Sequence, residues 1–366
     1  MQHTVPEFSL QKLQKLVDGH LMIFSLDGHQ SVTAELTSVI WKGQVVNTLG
    51  FVLAMIALSV VAGIVLMGTG KKEGSWHHRA AISVWAFGPF AAAIAAPFFG
   101  MDKLSLAVFA VGYIIPGFGV TVGYHRLLTH KSFKCGPVVR AFFIISGMMA
   151  LQGSAIRWVE YHLRHHADTD GPTDPHSPHA YGKGFGNAAR GLVHAHIGWM
   201  FDSEPPDPVT VKALREDKVL SGLNSFWWVF VLIRLFLPFG IGYAIGGMSV
   251  AVAAALWGAT AAFLTLHSTF SVNSVCHMWG SQPYRTEGFP KNFWLLAPFT
   301  LGEAFHNGHH AFVWSARHGI TPVERTLDFS WWLIFSLKKL GLVWDVKVPT
   351  PEQVRRKSLK PVSKAA

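Results

Sequence analysis

The chain has 366 residues, half of them hydrophobic and only 14% charged, with a mean hydropathy of +0.30. That balance excludes a disordered chain and a small soluble module, and having only two cysteines, Cys135 and Cys276, excludes a disulfide scaffold and a cysteine-rich zinc module. A net charge of +10 suits nucleic acid or anionic lipid; the low charged fraction and the apolar runs select lipid, so no nucleic-acid partner is expected.

In chain order, residues 1–44 form an N-terminal segment, and the apolar run 45–67 that follows starts too far in, with no clear small-residue cleavage site after it, to read as a signal peptide. Five apolar runs then approach the length of about 20 residues that crosses a bilayer: 45–67, 80–99, 104–123, 226–246 and 249–266. The fourth carries Arg234, whose side chain must face protein or snorkel. A sixth run, 141–153, is too short to span and reads as an interfacial helix. The expected fold class is therefore an all-α integral membrane bundle. Residues 45–266 form the bundle with a long loop, 124–225. Residues 267–354 complete a helical cap, and 355–366 form a basic tail.

Sidedness follows from Lys and Arg. Loop 124–225 holds eleven of them and the chain from 267 onward twelve, against one in the 100–103 turn. These two regions and the 68–79 linker are placed in the cytoplasm. Residues 1–44 lie outside if 45–67 spans, and inside if it does not.

The unusual residue is histidine, with 20 copies. Three clusters stand out: His125 with His130, His162-Leu-Arg-His165-His166, and His306-Asn-Gly-His309-His310. The first follows the third apolar run, the second lies in the same loop, and the third comes after two more runs. All three therefore meet at one membrane face. In an α-helix, residues i and i+4 share a face while neighbours diverge by about 100°. His162 and His166 can hold one ion while His165 points toward a second; His306, His309 and His310 repeat the pattern. Two such helices facing each other build two sites, each with a pair from one helix and a single from the other. His125 and His130, at i and i+5, lie about 140° apart on an α-helix, so the second is expected past the helix end. Imidazole suits zinc, copper, iron and nickel. Structural zinc takes four ligands, so this many histidines favour two ions of higher coordination, such as iron.

The segments GYHRLLTH at 123–130, HLRHHADTDGPTDPH at 162–176, HIGWM at 196–200, NSVCHMWG at 273–280 and GEAFHNGHHAF at 302–312 resemble the membrane fatty acyl desaturases, the stearoyl-CoA desaturase family and its bacterial delta-9 relatives. The resemblance runs from about Ala80 to Phe312. It implies four spans under a cytoplasmic cap that holds two iron ions through nine histidines. One iron takes His125, His130, His162, His166 and His309. The other takes His165, His277, His306 and His310, with Asn273 reaching it through water. By spacing alone His277 reads as a core histidine; the resemblance makes it a ligand. The chain departs from CoA-using members at Gln152-Gly153 and at Glu160-Tyr161, which leaves acyl-CoA and acyl-lipid both open as substrates.

The expected activity is insertion of a cis double bond, at delta-9 by resemblance, into a saturated acyl chain, with O2 as co-substrate. No fused cytochrome b5 motif is present, so electrons come from a separate donor of ferredoxin, rubredoxin or cytochrome b5 type. Membrane lipid surrounds the bundle. No catalytic residue beyond the ligands is expected. An apolar tunnel lined by Phe109, Tyr113, Trp199 and Phe270 sets which carbons react, with Phe109 or Tyr113 closing its end. Asp168, Asp170 and Glu303 are expected to orient ligand imidazoles or to form salt bridges, His176 to cap or support, and His194, His196, His267 and His318 to stand apart from the metals. The alternatives are a diiron hydroxylase and, from another class, a membrane metal transporter or sensor. A transporter places ligands near the bilayer midplane, whereas these clusters lie beyond span ends.

Overall fold

The computed structural model describes residues 76–202 and 211–359. All of them belong to one compact unit, Met55–Ala366. The expected run 45–67, the 1–44 segment and the end of the basic tail lie outside the described residues.

The first helix, α1 (Trp76–Ala95), runs into a 3-10 turn at Ala96–Phe99 and ends at Gly100, whose φ of 71° suits glycine. Asp102 caps the next helix by accepting from the Ser105 backbone N–H at 2.7 Å. That helix, α2 (Lys103–Phe118), continues without a break as a π-helix over Gly119–Thr129. Together they make an apolar rod of 27 residues. Helix α3 (Pro137–Met148) has 12 residues, about 18 Å, too short to cross a bilayer. It packs against the π segment through glycines: a Cβ on Gly119 would sit 2.1 Å from the Gly147 backbone nitrogen.

Helix α4 (Ala155–Ala167) carries the second histidine cluster, and α5 (Phe185–His196) follows it. Helix α6 (Trp227–Met278) is a single 52-residue element interrupted at Gly246 and Gly247, where φ reaches 70°. The chain reverses there: Arg234 on the first limb donates to the Gly258 carbonyl on the second at 2.9 Å. Arg234 is buried and also donates to the Gly112 carbonyl on α2 at 3.0 Å, so it faces protein. Among the described residues, three helices are long and apolar enough to cross a membrane, and the third folds back on itself.

Beyond Met278 come α7 (His306–Ala311), with the third histidine cluster, and α8 (Phe329–Lys339). A two-stranded antiparallel ribbon, β1 (Lys134–Cys135) and β2 (Val343–Trp344), ties this region to the end of the π segment. Cys276 is fully buried beside Ala297, Ala304 and Phe305, where it packs as a small apolar residue.

Candidate metal centre

The π winding is what lets one segment supply both His125 and His130. The His130 N–H donates to the His125 carbonyl at 3.1 Å, an i to i+5 bond. An α-helix would send the two side chains apart; the wider turn and the position of His130 at the helix cap bring both inward.

Five imidazoles, from His125, His130, His162, His166 and His309, place their ring nitrogens within 4.8 Å of one another. Four more, from His165, His277, His306 and His310, form a second group by the same measure. In the first group the Nε2 atoms approach at 3.1 Å (His125–His309), 2.9 Å (His309–His166), 3.0 Å (His166–His162) and 3.0 Å (His162–His130). In the second they approach at 3.2 Å (His165–His310), 3.1 Å (His310–His306) and 2.9 Å (His306–His277).

A ring nitrogen carries at most one proton, yet the Nε2 atoms of His309, His166, His162, His310 and His306 each approach two others, so linear hydrogen bonds among the rings do not account for all seven approaches. The Nδ1 atoms of His125, His165 and His277 lie 2.5, 2.8 and 2.9 Å from Glu303, Asp174 and Asp170. A ring that donates Nδ1–H to a carboxylate turns a lone pair, not a proton, toward its neighbours. Lone pairs facing each other repel unless a cation lies among them. Metal–imidazole bonds of about 2.1 Å at right angles separate nitrogens by about 3.0 Å, whereas a tetrahedral angle separates them by about 3.4 Å. The observed spacings match the right angle, and five donors exceed a tetrahedral shell. The residues fit two metal ions of high coordination.

Burial, and then the closeness of the other rings, holds His162, His166, His306, His309 and His310 well below the ordinary histidine range. His130 falls to about 3 for the same leading reason. These rings are neutral at pH 7 and keep lone pairs for a metal. Burial works to raise the Asp170 carboxyl, but the bond and charge of His277, the Phe289 N–H and the Ser177 hydroxyl outweigh it and leave it at about 2.

Of the carboxylates expected beside ligands, Asp170 and Glu303 are there and Asp168 is not. Asp168 instead accepts from the Thr173 N–H and hydroxyl at 2.8 and 2.7 Å. Its place is taken by Asp174, three residues past the turn at Gly171. Glu303 is held by Arg126, which is fully buried and also donates to Asp328 at 2.9 Å and to the Ala316 carbonyl at 3.0 Å. His318, expected to stand apart, is fully buried beside the first group. Its Nδ1 lies 3.3 Å from Glu303, and its ring centroid lies 4.5 Å from that of His309. His176 packs on the His165 ring at 4.6 Å with Nδ1 3.5 Å from Asp174. His196 and His267 pair with each other at 3.0 Å, outside both groups, and His194 packs on Tyr181.

Two cavities meet at the histidines, one of about 480 Å³ and one of about 50 Å³. Both are lined by Trp158, His162, Thr269 and Asn273, which mark the junction. Trp158 stacks on His162 at 5.0 Å and donates its indole N–H to Gln152 at 3.1 Å, while Gln152 donates to the Thr269 hydroxyl at 2.8 Å. Trp199 and Phe270 line the larger cavity and Tyr113 the smaller. Tyr113 donates its hydroxyl to the Phe299 carbonyl. Phe109 lines neither cavity; it packs edge-on against Trp257 at 5.8 Å, so it does not close the space as expected.

Comparison with known proteins agrees with this geometry. The fatty acid desaturase family matches residues 103–327. The chain is 38% identical over 247 residues to a hex-5-enoyl-[acyl-carrier protein] acetylenase of Moorena producens, covering 66% of this chain and 76% of that protein. It is 37% identical over 257 residues to an acyl-CoA C20 Delta5-desaturase of Anemone leveillei, covering 69% and 76%. It is 36% identical over 261 residues to delta-9 acyl-lipid desaturase 1 of Arabidopsis thaliana, covering 70% and 79%.

Proposed function

The chain belongs to the fatty acid desaturase family, and from that premise we propose that it is a membrane enzyme that inserts a cis double bond, at the delta-9 position, into a saturated acyl chain. The observation that carries the reading is the meeting of two imidazole groups with an apolar two-part cavity at Trp158, His162, Thr269 and Asn273.

The first group of five histidines and the second group of four would each hold one iron ion, with Asn273 reaching the second through water. Iron bound there would supply oxidation by O2, with two electrons from the acyl chain and two from a separate donor reducing O2 to two waters as the chain loses one hydrogen from each of two adjacent carbons. The donor is a ferredoxin, rubredoxin or cytochrome b5 type protein.

The chain's own residues position rather than react. Glu303, Asp174 and Asp170 each accept an imidazole N–H and so aim three ligand lone pairs inward. The Trp158–Gln152–Thr269 bonds fix the wall where the acyl chain passes the metals, and holding the chain to that wall selects two carbons. The larger cavity takes the carboxyl side and the smaller the methyl side. The excess of Lys and Arg in the loop and cap supports a cytoplasmic position for this centre, and the two limbs of α6 with α1 and α2 would make four crossings.

Expression in a host that makes no unsaturated fatty acids, with gas chromatography of its lipids, tests the reading. A cis-monoene counted nine carbons from the carboxyl is expected. Hydroxylated chains would assign the protein to hydroxylation instead, and unchanged lipids with folded, iron-loaded protein would reject both.

A further inference from the structure

The two histidine groups differ in the charge that stands behind their rings. In the first group, His125 and Arg126 are neighbours on the π segment and both reach Glu303. The His125 Nδ1 lies 2.5 Å from one carboxylate oxygen, and the Arg126 guanidinium donates to the other at 3.0 Å. Arg126 is fully buried, so water screens its charge little. Its other acidic partner, Asp328, stands one step farther out. Asp328 accepts from Arg126 at 2.9 Å and from the backbone N–H groups of His318, Gly319 and Trp331. The carboxylate that engages a ligand of this group is therefore neutralised where it stands.

The second group has two such carboxylates and no cation against them. Asp174 accepts the His165 Nδ1–H at 2.8 Å, Asp170 accepts the His277 Nδ1–H at 2.9 Å, and both carboxylates are buried. Their remaining donors are neutral. Asp174 takes the backbone N–H groups of Asp170 and His176, and Asp170 takes the Phe289 N–H and the Ser177 hydroxyl. Among the described residues no Lys or Arg forms an ion pair with either. One further ring lies against a carboxylate in each group, His318 on Glu303 and His176 on Asp174. Burial holds both rings well below the ordinary histidine range, so neither adds a charge.

A carboxylate that accepts a ligand's N–H draws the proton toward itself, which leaves more electron density on the nitrogen facing the metal. It also brings a negative charge close to the ion. Both effects favour the more highly charged ion, and hydrogen bonds and net charge around a metal set its potential in this way.

We infer that Asp170 and Asp174 make the four-histidine group the one oxidised first, while Arg126, by neutralising Glu303, keeps the five-histidine group ferrous. The inference rests on the two-iron reading and deepens it. On oxidation one electron leaves the four-histidine site, Fe(II) becoming Fe(III), before a second leaves the other site. On reduction the order reverses, so a donor that delivers one electron at a time fills the five-histidine site first.

The test is a redox titration of the purified, iron-loaded chain in nanodiscs. The protein is poised stepwise with dithionite and ferricyanide, without acyl substrate, and read by EPR and Mössbauer spectroscopy. Wild type should give two resolved one-electron steps with a mixed-valent form between them. Asp170→Asn and Asp174→Asn each remove a charge and keep an acceptor oxygen. Each should raise the lower step by about tenfold in the one-electron equilibrium, about 59 mV, and leave the upper step in place. Arg126→Gln leaves Glu303 uncompensated and should lower the upper step, bringing the two together. Arg126 is buried, and if that variant fails to load iron the two Asn variants decide alone. A single step in wild type, or Asn variants that shift the upper step or neither step, overturns the inference. A wild-type chain that holds no iron overturns the two-iron reading and this inference with it.

Discussion

Replacing Tyr113 by Ala removes a phenol ring from the wall of the smaller cavity and frees the Phe299 carbonyl that its hydroxyl engages. That cavity, about 50 Å³, holds about four water-sized groups at ~10–15 Å³ each. The wild-type space beyond the metals is therefore short, and the ring limits it. Each further methylene that becomes buried is worth about 0.8 kcal/mol. Two of them shift kcat/KM by about 1.6 kcal/mol, roughly fifteen-fold at ~1.36 kcal/mol per decade. The Tyr113→Ala enzyme should thus favour an acyl chain two carbons longer by about ten- to fifteen-fold over wild type. The double bond should stay fixed relative to the carboxyl, because the larger cavity is untouched. Tyr113→Phe keeps the ring and should keep the chain-length profile. Phe109→Ala should also leave the profile unchanged, since Phe109 packs on Trp257 away from both cavities. Competition between paired saturated chains, read by mass spectrometry of the products, measures the ratio. An unchanged profile in Tyr113→Ala, or the same shift in Tyr113→Phe, refutes the reasoning.

Three other outcomes are expected. His165→Ala removes a donor from the four-histidine group and leaves Asp174 without its imidazole; metal analysis should show one iron lost and product formation abolished, and two irons with full turnover would remove His165 from the site. Asn273→Ala should retain both irons while activity falls about 10–100-fold, the usual cost of disturbing a group that acts on a metal indirectly; wild-type turnover would contradict it. His318→Ala empties a fully buried site against His309 and Glu303. It should destabilise the fold by about 2 kcal/mol or more in thermal unfolding, through the cavity left among buried rings. A melting temperature equal to that of wild type would show His318 to be a bystander.

Much of the fold was legible because apolar run length and histidine spacing are direct physical signals. The runs 80–99, 104–123, 226–246 and 249–266 correspond to α1, α2 and the two limbs of α6, and the reversal falls at Gly246–Gly247, next to the expected turn. The two HxxHH helices divide their histidines as i, i+3, i+4 geometry requires. The π winding was not legible, because nothing in GVTVGYHRLLT distinguishes it from an α-helix; close packing on Gly147 and Phe143 accompanies it. Asp168 and Asp170 are equally plausible by sequence, but the turn with Asp170 at a φ of 60° aims one carboxylate at His277 and the other at Thr173. Phe109 and Tyr113 stand four residues apart and share a helix face, so only the neighbouring limb of α6, with Trp257, decides which one reaches the cavity. His318 carried no spacing signal at all: the loop between α7 and α8 returns it to the site.

The central claim is that the two histidine groups are two iron sites, and metal analysis of the purified wild-type chain tests it most directly. Two irons per chain are predicted, with zinc absent. One metal per chain, or zinc in place of iron, would contradict the account.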